Sequence, residues 1–552
     1  MKRILLGFVV LVSLFSISVL GQQETGQISG NVSDVNGAAV PNATVTIKST
    51  TTGFSKTTTT GNDGYFIFVN VQPGKYEVNV KANGFEEYKT TRELAVAGTV
   101  AIDANLVVTG QKAVVDVVGT SISEINTSDQ TVSGTVTSKQ LTELPTITRN
   151  PYGFVSTLPN VSEGDPSGRG VGVAINGQRA ASTSVLINGG ENVDTFTANT
   201  GQNVPLYSVQ EFKVMQSSFT ADFGRATGGV VNLVTRTGTN EFHGSGFLFA
   251  RDKTFNANDH ISEVSKRTKA DYSRQQFGGS FGGPIKKDRF FAFGVYERTR
   301  EESGFNVSQT VFDQLQFATS IGAKPILSVP TPFRDNLWQV RLDGKLNDKN
   351  TAFVKWAEQT NNALNDQAGI TDESSGNFTK NTLYQGTFGL NSTLSPALVN
   401  QFVFAYQYWN NLIDSPTFAP FLTFAGGVTF GTNPNIPQQS IQKKYQVKDD
   451  MFLTAGSHGL KYGIDFVAIP KLGGFFRTPP TPNLTFLDSA SVIATDKTKY
   501  PQGFATPGAV SQLTAASGDP SFDYHNTSLF SVYFQDDWKV KPNLTLNLGV
   551  RY

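Results

Sequence analysis

The chain has 552 residues, with 45 basic and 45 acidic side chains and a formal net charge of zero. That balance argues against a dedicated nucleic-acid binder, which carries a basic excess. There is no cysteine, which excludes disulfides, thiolate metal sites and cysteine nucleophiles, and four histidines are too few for an imidazole-rich metal centre. At one domain per ~150 residues the length has room for three or four. The 42 phenylalanines and 53 glycines point to many strands and turns, and no internal apolar run reaches the ~18 residues of a spanning helix.

Lys2 and Arg3 precede an apolar stretch from Ile4 to Leu20, followed by the small-residue site Val19-Leu20-Gly21. A basic start, an apolar middle and a small-residue end predict a secretory signal peptide over residues 1–21. The run is short for a membrane anchor, and no cysteine follows to carry a lipid. The expected mature chain begins near Gln22 and works outside the cytoplasm. An exported chain without disulfides suits a bacterial envelope.

From residue 25 to 108 short alternating runs meet turn signals. Ile28 to Val32, Ala43 to Ile47, Tyr65 to Phe68 and Tyr76 to Val80 read as strands. Val35-Asn36-Gly37, Gly61-Asn62-Asp63-Gly64 and Gln72-Pro73-Gly74 read as turns. The spacing predicts a β-sandwich. Gly30-Asn31-Val32, Val40 to Val45, Asp63 to Phe66, Pro73 to Tyr76 and Gly84-Phe85 resemble the carboxypeptidase regulatory-like domain, a folded accessory module rather than a peptidase. Asp34, Asn36, Asn62 and Asp63 could hold calcium; turn chemistry explains the same residues.

Ala113-Val114-Val115-Asp116-Val117-Val118 is a β-prone string. It is either a buried strand of the next domain or an extended segment able to add to a partner's sheet edge. An ordered set follows: Leu141 to Pro145, Leu158 to Val161, Ile175 to Arg179, Val185 to Gly190, Val209 to Val214 and Phe223 to Arg236. This set resembles the plug domain of TonB-dependent outer-membrane receptors, over residues 120–239. Asn188 departs from the aspartate that the family usually places before Gly189, and Gln216-Ser217-Ser218 replaces a common glycine-proline pair. Both departures fit the Oar-like branch, which also carries the N-terminal sandwich. Asn188, Gly189, Gly224, Gly228, Gly229 and Asn232 are the plug-motif residues. Gly228 and Gly229, before a β-branched strand, are expected to permit tight turns and close packing against a wall.

Residues 240–552 repeat period-two runs of about ten residues. Strands are predicted at 241–250, 275–283, 289–299, 336–344, 350–359, 382–392, 400–411, 443–454, 459–468, 528–539 and 544–552. Phe402, Phe404, Tyr406 and Tyr408 share one face; so do Leu544, Leu546, Leu548, Val550 and Tyr552. Short turns at 284–288, 345–349, 392–399, 455–458 and 540–543 alternate with long loops at 251–274, 300–335, 360–381, 412–442 and 469–527. Apolar-out alternation with that loop pattern predicts an outer-membrane barrel in contact with lipid. Phe418, Phe421, Phe424, Phe430, Phe475 and Phe476 would either form a ligand-binding mouth or pack the loops together. The expected count of eleven strands is odd, whereas complete bacterial single-chain barrels have even numbers. The expectation is therefore a barrel cut near its middle, with a smaller complete barrel, closed by the alternating strand that ends at Tyr552, as the alternative.

The fold class is accordingly mainly β: a sandwich, an α+β plug and an antiparallel transmembrane barrel, incomplete as counted. Little else carries chemistry. His260 and Glu263 have the spacing of a zinc pair but lack a third ligand and a base. Asp536 and Asp537 are neighbours on a strand, so they face opposite ways. No cofactor motif is present. The resemblance implies a receptor that imports an extracellular ligand, with Val114, Val115, Asp116, Val117 and Val118 as contacts for the energy-coupling protein TonB. Siderophore, oligosaccharide and peptide ligands remain open, so a carbohydrate is one candidate. An outer-membrane adhesin is the alternative, and a zinc-dependent hydrolase a minor one.

Overall fold

The computed structural model describes residues 25–96, 98–109, 130–144, 149–163, 173–195, 200–258, 260–264, 269, 271–367, 369–395, 397–416, 418–474, 481–515, 525–541 and 544–552. The signal segment and Val114 to Val118 lie outside them. No helix among the described residues is long and apolar enough to cross a membrane, which says nothing of crossing by strands.

The N-terminal unit is a sandwich of two four-stranded sheets. One contains Gly26–Asp34 and Tyr65–Val71; the other joins Ser55–Thr59, Thr44–Ser49, Gly74–Lys81 and Tyr88–Leu94. Alternate positions of both sheets meet in one core, including Ile28, Val45, Ile47, Phe66, Val78 and Val80. The calcium-like residues make turns: Asp34 Oδ1 accepts the amides of Asn36 and Ala38, each at 2.9 Å, and Asp63 Oδ1 accepts that of Tyr65 at 3.1 Å.

The next unit is a five-stranded sheet in the order Gly190–Glu191, Thr183–Ile187, Gly229–Thr235, Val209–Ser217, Val132–Thr137. A short helix, Ser138–Glu143, starts on a capping box in which Thr137 and Gln140 satisfy each other's amides. This removes unpaired helix N–H groups and fixes where the strand becomes helix. The core is apolar and dry, with Tyr152, Val185, Ile187, Phe212, Val214, Val231 and Leu233 almost wholly buried.

The C-terminal unit is a strand meander. His243–Asp252, Tyr272–Lys286, Phe290–Asn306, Phe333–Lys345, Asn350–Leu364, Phe378–Ser395, Leu398–Asp414, Gln438–Ala455, His458–Gly474, His525–Lys541 and Leu544–Arg551 pair in that order, each antiparallel to the next. The sheet is not closed: the first and last of these strands are its edges among the described residues. All eleven strands occur where alternation predicts them, but most run several residues farther toward the long-loop end. His458 and His525, placed by the sequence reading in a turn and a loop, each begin a strand. The outward face is apolar and aromatic; Phe530, Val532, Phe534, Leu546, Leu548 and Val550 are all exposed.

The long loops are not structureless. Thr429–Phe430, Phe421–Thr423, Asn483–Phe486 and Val510–Thr514 form a four-stranded sheet. Helices Gln309–Gln316 and Ala490–Thr495 pack on it around Leu315, Phe424, Phe430, Phe486 and Ile493. Phe424 and Phe430 are buried and stacked, with ring centres 6.1 Å apart, so these two pack loops together. Phe418 is exposed; Phe475 and Phe476 lie outside the described residues.

Candidate functional site at the plug–wall seam

The five-stranded unit sits against the inner face of the meander. Because successive strand residues face opposite ways, alternate wall residues face it, and many of those that touch it are polar. Four glutamines perform one task, and a fifth holds a plug side chain. Gln446 Oε1 accepts the amide of Glu191 at 2.9 Å, Gln442 that of Thr195 at 2.9 Å, Gln359 that of Asn203 at 3.1 Å and Gln535 that of Ala221 at 3.2 Å. Gln407 donates to Asn192 Oδ1 at 3.2 Å. The wall thereby supplies side-chain partners for backbone groups that would otherwise be buried unpaired.

Charges gather at Asp465. It accepts Arg225 of the plug at 2.9 Å, Arg551 of the last strand at 3.1 Å and Gln446 at 2.9 Å. Arg225 also faces Glu191 at 3.4 Å, and Lys444 reaches Glu191 at 3.3 Å and the carbonyl of Val193 at 2.6 Å. Arg551 donates to the carbonyls of Ala221 and Asp222 at 3.3 and 3.2 Å. Each carboxylate serves more than one cation, so burial is compensated by several charge-assisted bonds. Elsewhere Arg149 lies over the rings of Tyr207, Phe247 and Phe249, at 5.2, 4.6 and 4.4 Å from their centres.

The motif glycines divide into two groups. A Cβ added at Gly224 would collide with Arg551, one at Gly201 with Gln407, and one at Gly190 would lie 2.9 Å from Ala405 Cβ. These three are where the wall comes closest. Gly228 and Gly229 do not touch the wall, contrary to expectation. A Cβ there would meet Gln178, Ile175 and Met215 within the plug itself, and neither has positive φ. Their small size admits plug side chains rather than a tight turn.

Asn188 and Gly189 have φ of +50° and +74° and connect two paired strands, the two-residue turn that asparagine-glycine favours. Asn188 is fully buried. Its Nδ2 donates to Thr235 Oγ1 at 2.7 Å and its Oδ1 accepts the Thr235 amide at 2.9 Å. An aspartate could accept both the hydroxyl and the amide of Thr235, so nothing in this geometry explains the departure from the family residue. Thr235 is then held from the wall by Arg341 at 3.2 Å. Asn232 is fully buried on the same strand.

The sandwich closes the short-turn end. Ile67 and Val69 pack on Val399 and Phe452 of the wall, and Asn70 Nδ2 donates to the carbonyl of Asn400 at 3.2 Å. A hydrogen bond joins sandwich to plug, from the Val96 amide to Glu211 Oε1. Burial pushes the Glu211 carboxyl up to about 7, with Glu93 adding to the rise and the Val96 amide and Lys213 opposing it.

His260 and Glu263 are exposed on a short helix, and no group of three metal-ligating side chains occurs among the described residues. Asp536 pairs with His458 at 2.8 Å and Asp537 with Lys461 at 3.0 Å, so the two acids have separate partners. The sequence reading missed Glu191, Arg225, Asp465, Lys444, Arg551 and the glutamines. For Asp465, Lys444, Arg551 and the glutamines the signal is a polar residue at alternate positions of a strand; Arg225 and Glu191, at loop and strand end, carry no such signal.

Comparison with known proteins places these units. Residues 27–107 match the carboxypeptidase regulatory-like domain, and residues 124–230 match the TonB-dependent receptor plug domain. Residues 234–327 and 318–552 match an outer membrane beta barrel domain. The TonB-dependent transporter Oar of Myxococcus xanthus is 25% identical over 327 residues, which cover 56% of this chain and 30% of that protein. The chain thus spans under a third of the length of that relative. The outer membrane transporter YddB of Escherichia coli has a similar fold, with a TM-score of 0.56 at 13% identity, over 76% of this chain and 56% of that one. With plug, wall and accessory sandwich all matched, the chain belongs to the outer-membrane β-barrel family of TonB-dependent receptors, and Oar is among its relatives.

Proposed function

We propose that the chain is an outer-membrane receptor that binds an extracellular ligand and passes it to the periplasm with energy from TonB. The observation that supports this most is the polar seam. A plug that must be displaced cannot be welded by a dry apolar interface, and amide and ion-pair contacts can be exchanged for water at small net cost. In barrels of this class the long loops face outside and the short turns face the periplasm. The sandwich and the Glu211 contact then lie on the side from which TonB pulls, and Val114, Val115, Asp116, Val117 and Val118 are the residues proposed for it to grip. In this reading residues 1–21 are a cleaved signal peptide, and Asn188, Gly189, Gly224, Gly228, Gly229 and Asn232 shape the plug. Deleting Val114 to Val118 is expected to abolish co-purification of TonB. Undiminished co-purification would remove that assignment. An adhesin is the second reading, favoured by the folded cap of loops. Solute uptake that collapses with the membrane potential separates the two, since adhesion needs no such energy.

A further inference from the structure

Above the plug contacts the inner wall carries a row of neutral amides. Asn361, Asn381, Asn411 and Ser440 stand in one register across four neighbouring strands. Asn361 and Ser440 are each two residues farther toward the long-loop end than Gln359 and Gln442, whose side chains hold the plug backbone. The same face of each strand is therefore presented, past the plug contacts. The three asparagine side chains are half-buried, unlike the glutamines below them, while Ser440 is buried.

The amides orient one another. Asn411 Nδ2 donates to Asn381 Oδ1 at 2.6 Å, and Asn381 Nδ2 donates to Asn361 Oδ1 at 2.7 Å. Trp409, one pair below, fixes its indole by donating to Ser440 Oγ at 3.1 Å. An asparagine amide has two N–H donors and an oxygen with two lone pairs. The ladder uses one donor and one acceptor of Asn381, so one of each remains for a ligand, already oriented. The row has no lysine or arginine. Bases on the surrounding wall and plug have partners of their own: Lys444 has Glu191 at 3.3 Å, Arg274 has Glu301 at 3.2 Å, and Arg149 has the rings of Phe247 and Phe249. Asp335, in register with Asn361, adds negative charge.

Paired donors and acceptors at fixed spacing, beside an indole face and without a cation, match a neutral polyhydroxylated ligand. Each sugar hydroxyl both donates and accepts, so adjacent hydroxyls can bridge one amide, and the C–H face of a pyranose suits an indole. An anionic chelate would find no positive partner and would face Asp335. We propose that Asn361, Asn381, Asn411 and Trp409 form a binding subsite for a neutral oligosaccharide. This rests on the receptor reading and specifies its ligand class.

The test uses the purified full chain in detergent on an immobilised array of neutral and of sulfated or sialylated oligosaccharides. Retention on neutral glycans is expected, weakened by about tenfold or more in Asn381→Leu and in Trp409→Leu, in keeping with the loss of a buried polar partner or a stacking face. Asn381→Asp keeps the shape, so it guards against misfolding; it should weaken binding while the barrel's heat-modifiable migration stays unchanged. Retention on anionic glycans alone, no retention at all, or equal retention by all variants would overturn the subsite. Array binding needs no TonB. Neutral-glycan binding without energy-dependent uptake would therefore sink the import reading and spare the subsite. Energy-dependent uptake of other solutes without glycan binding would do the reverse.

Discussion

The plug has an inside and an outside built on opposite principles. Its inside is a dry cluster in which Val185, Phe212, Val231 and Leu233 are fully buried against one another. Its outside, where it meets the wall, is a set of glutamine–backbone bonds and multiply shared ion pairs around Asp465. Apolar burial is lost outright when surfaces part. A polar contact is largely replaced by bonds to water. The difference teaches that parting plug from wall costs less than taking the plug itself apart.

The strongest way to break this comparison is to empty the core. Phe212→Ala is expected to destabilise the plug by about 4 kcal/mol, read as protease sensitivity of the plug while the wall remains folded. Should the plug stay protected, its integrity would not depend on that cluster. Next is the seam. Asp465→Ala leaves Arg225 and Arg551 without their shared carboxylate. A cost of about 3 kcal/mol is expected, appearing as release of the plug from the wall with its own core intact, as seen by hydrogen exchange. Loss of protection inside the plug as well would mean that seam and core are one unit.

The last effect sharpens the periplasmic side. Glu211 has a folded-state value of about 7, above the ordinary carboxyl value. Its neutral form is the one favoured in the docked state. Its stabilising contribution is therefore complete below about pH 4.5 and is lost as pH rises through about 7. The folded state should lose roughly 3 kcal/mol of stability over that window, because the buried carboxyl becomes charged. Glu211→Gln should remove the pH dependence and keep the contact at pH 8. Thermal unfolding of the full chain at pH 5 and pH 8 checks this: equal shifts in wild type and variant would place the titration elsewhere.

Much of this architecture is legible from alternation, and the failures have physical reasons. The wall strands were underestimated toward the long-loop end because the outward face ceases to be apolar there. In the strand Phe290–Asn306 the outward positions pass from Gly294 and Tyr296 to Arg298, Arg300 and Glu302. The sandwich strand Ser55–Thr59 escaped because Ser-Lys-Thr-Thr-Thr has no apolar alternation. Gly228 and Gly229 announced a close approach, but a missing side chain does not say what fills the space. Here it is Ile175 and Met215 of the plug rather than the wall. The seam was invisible for a related reason: Gln407, Lys444 and Asp465 read as the ordinary polar half of a strand until the plug is set against them. The cap was missed because its strands are two to five residues long and its contacts join distant loops.

That cap also has a kinetic meaning. Gln314 and Ser491 bond each other reciprocally at 3.0 and 3.1 Å, and Thr371 Oγ1 donates to the carbonyl of Thr429 at 2.9 Å. Three loops from separate hairpins thus share one small core, and a fourth is bonded to it. Such a body opens as a cooperative unit, not loop by loop. Amide protons in Phe421–Thr423, Asn483–Phe486 and Ala490–Thr495 should exchange at a common rate, and access to the vestibule would be set by one opening equilibrium for the whole arch.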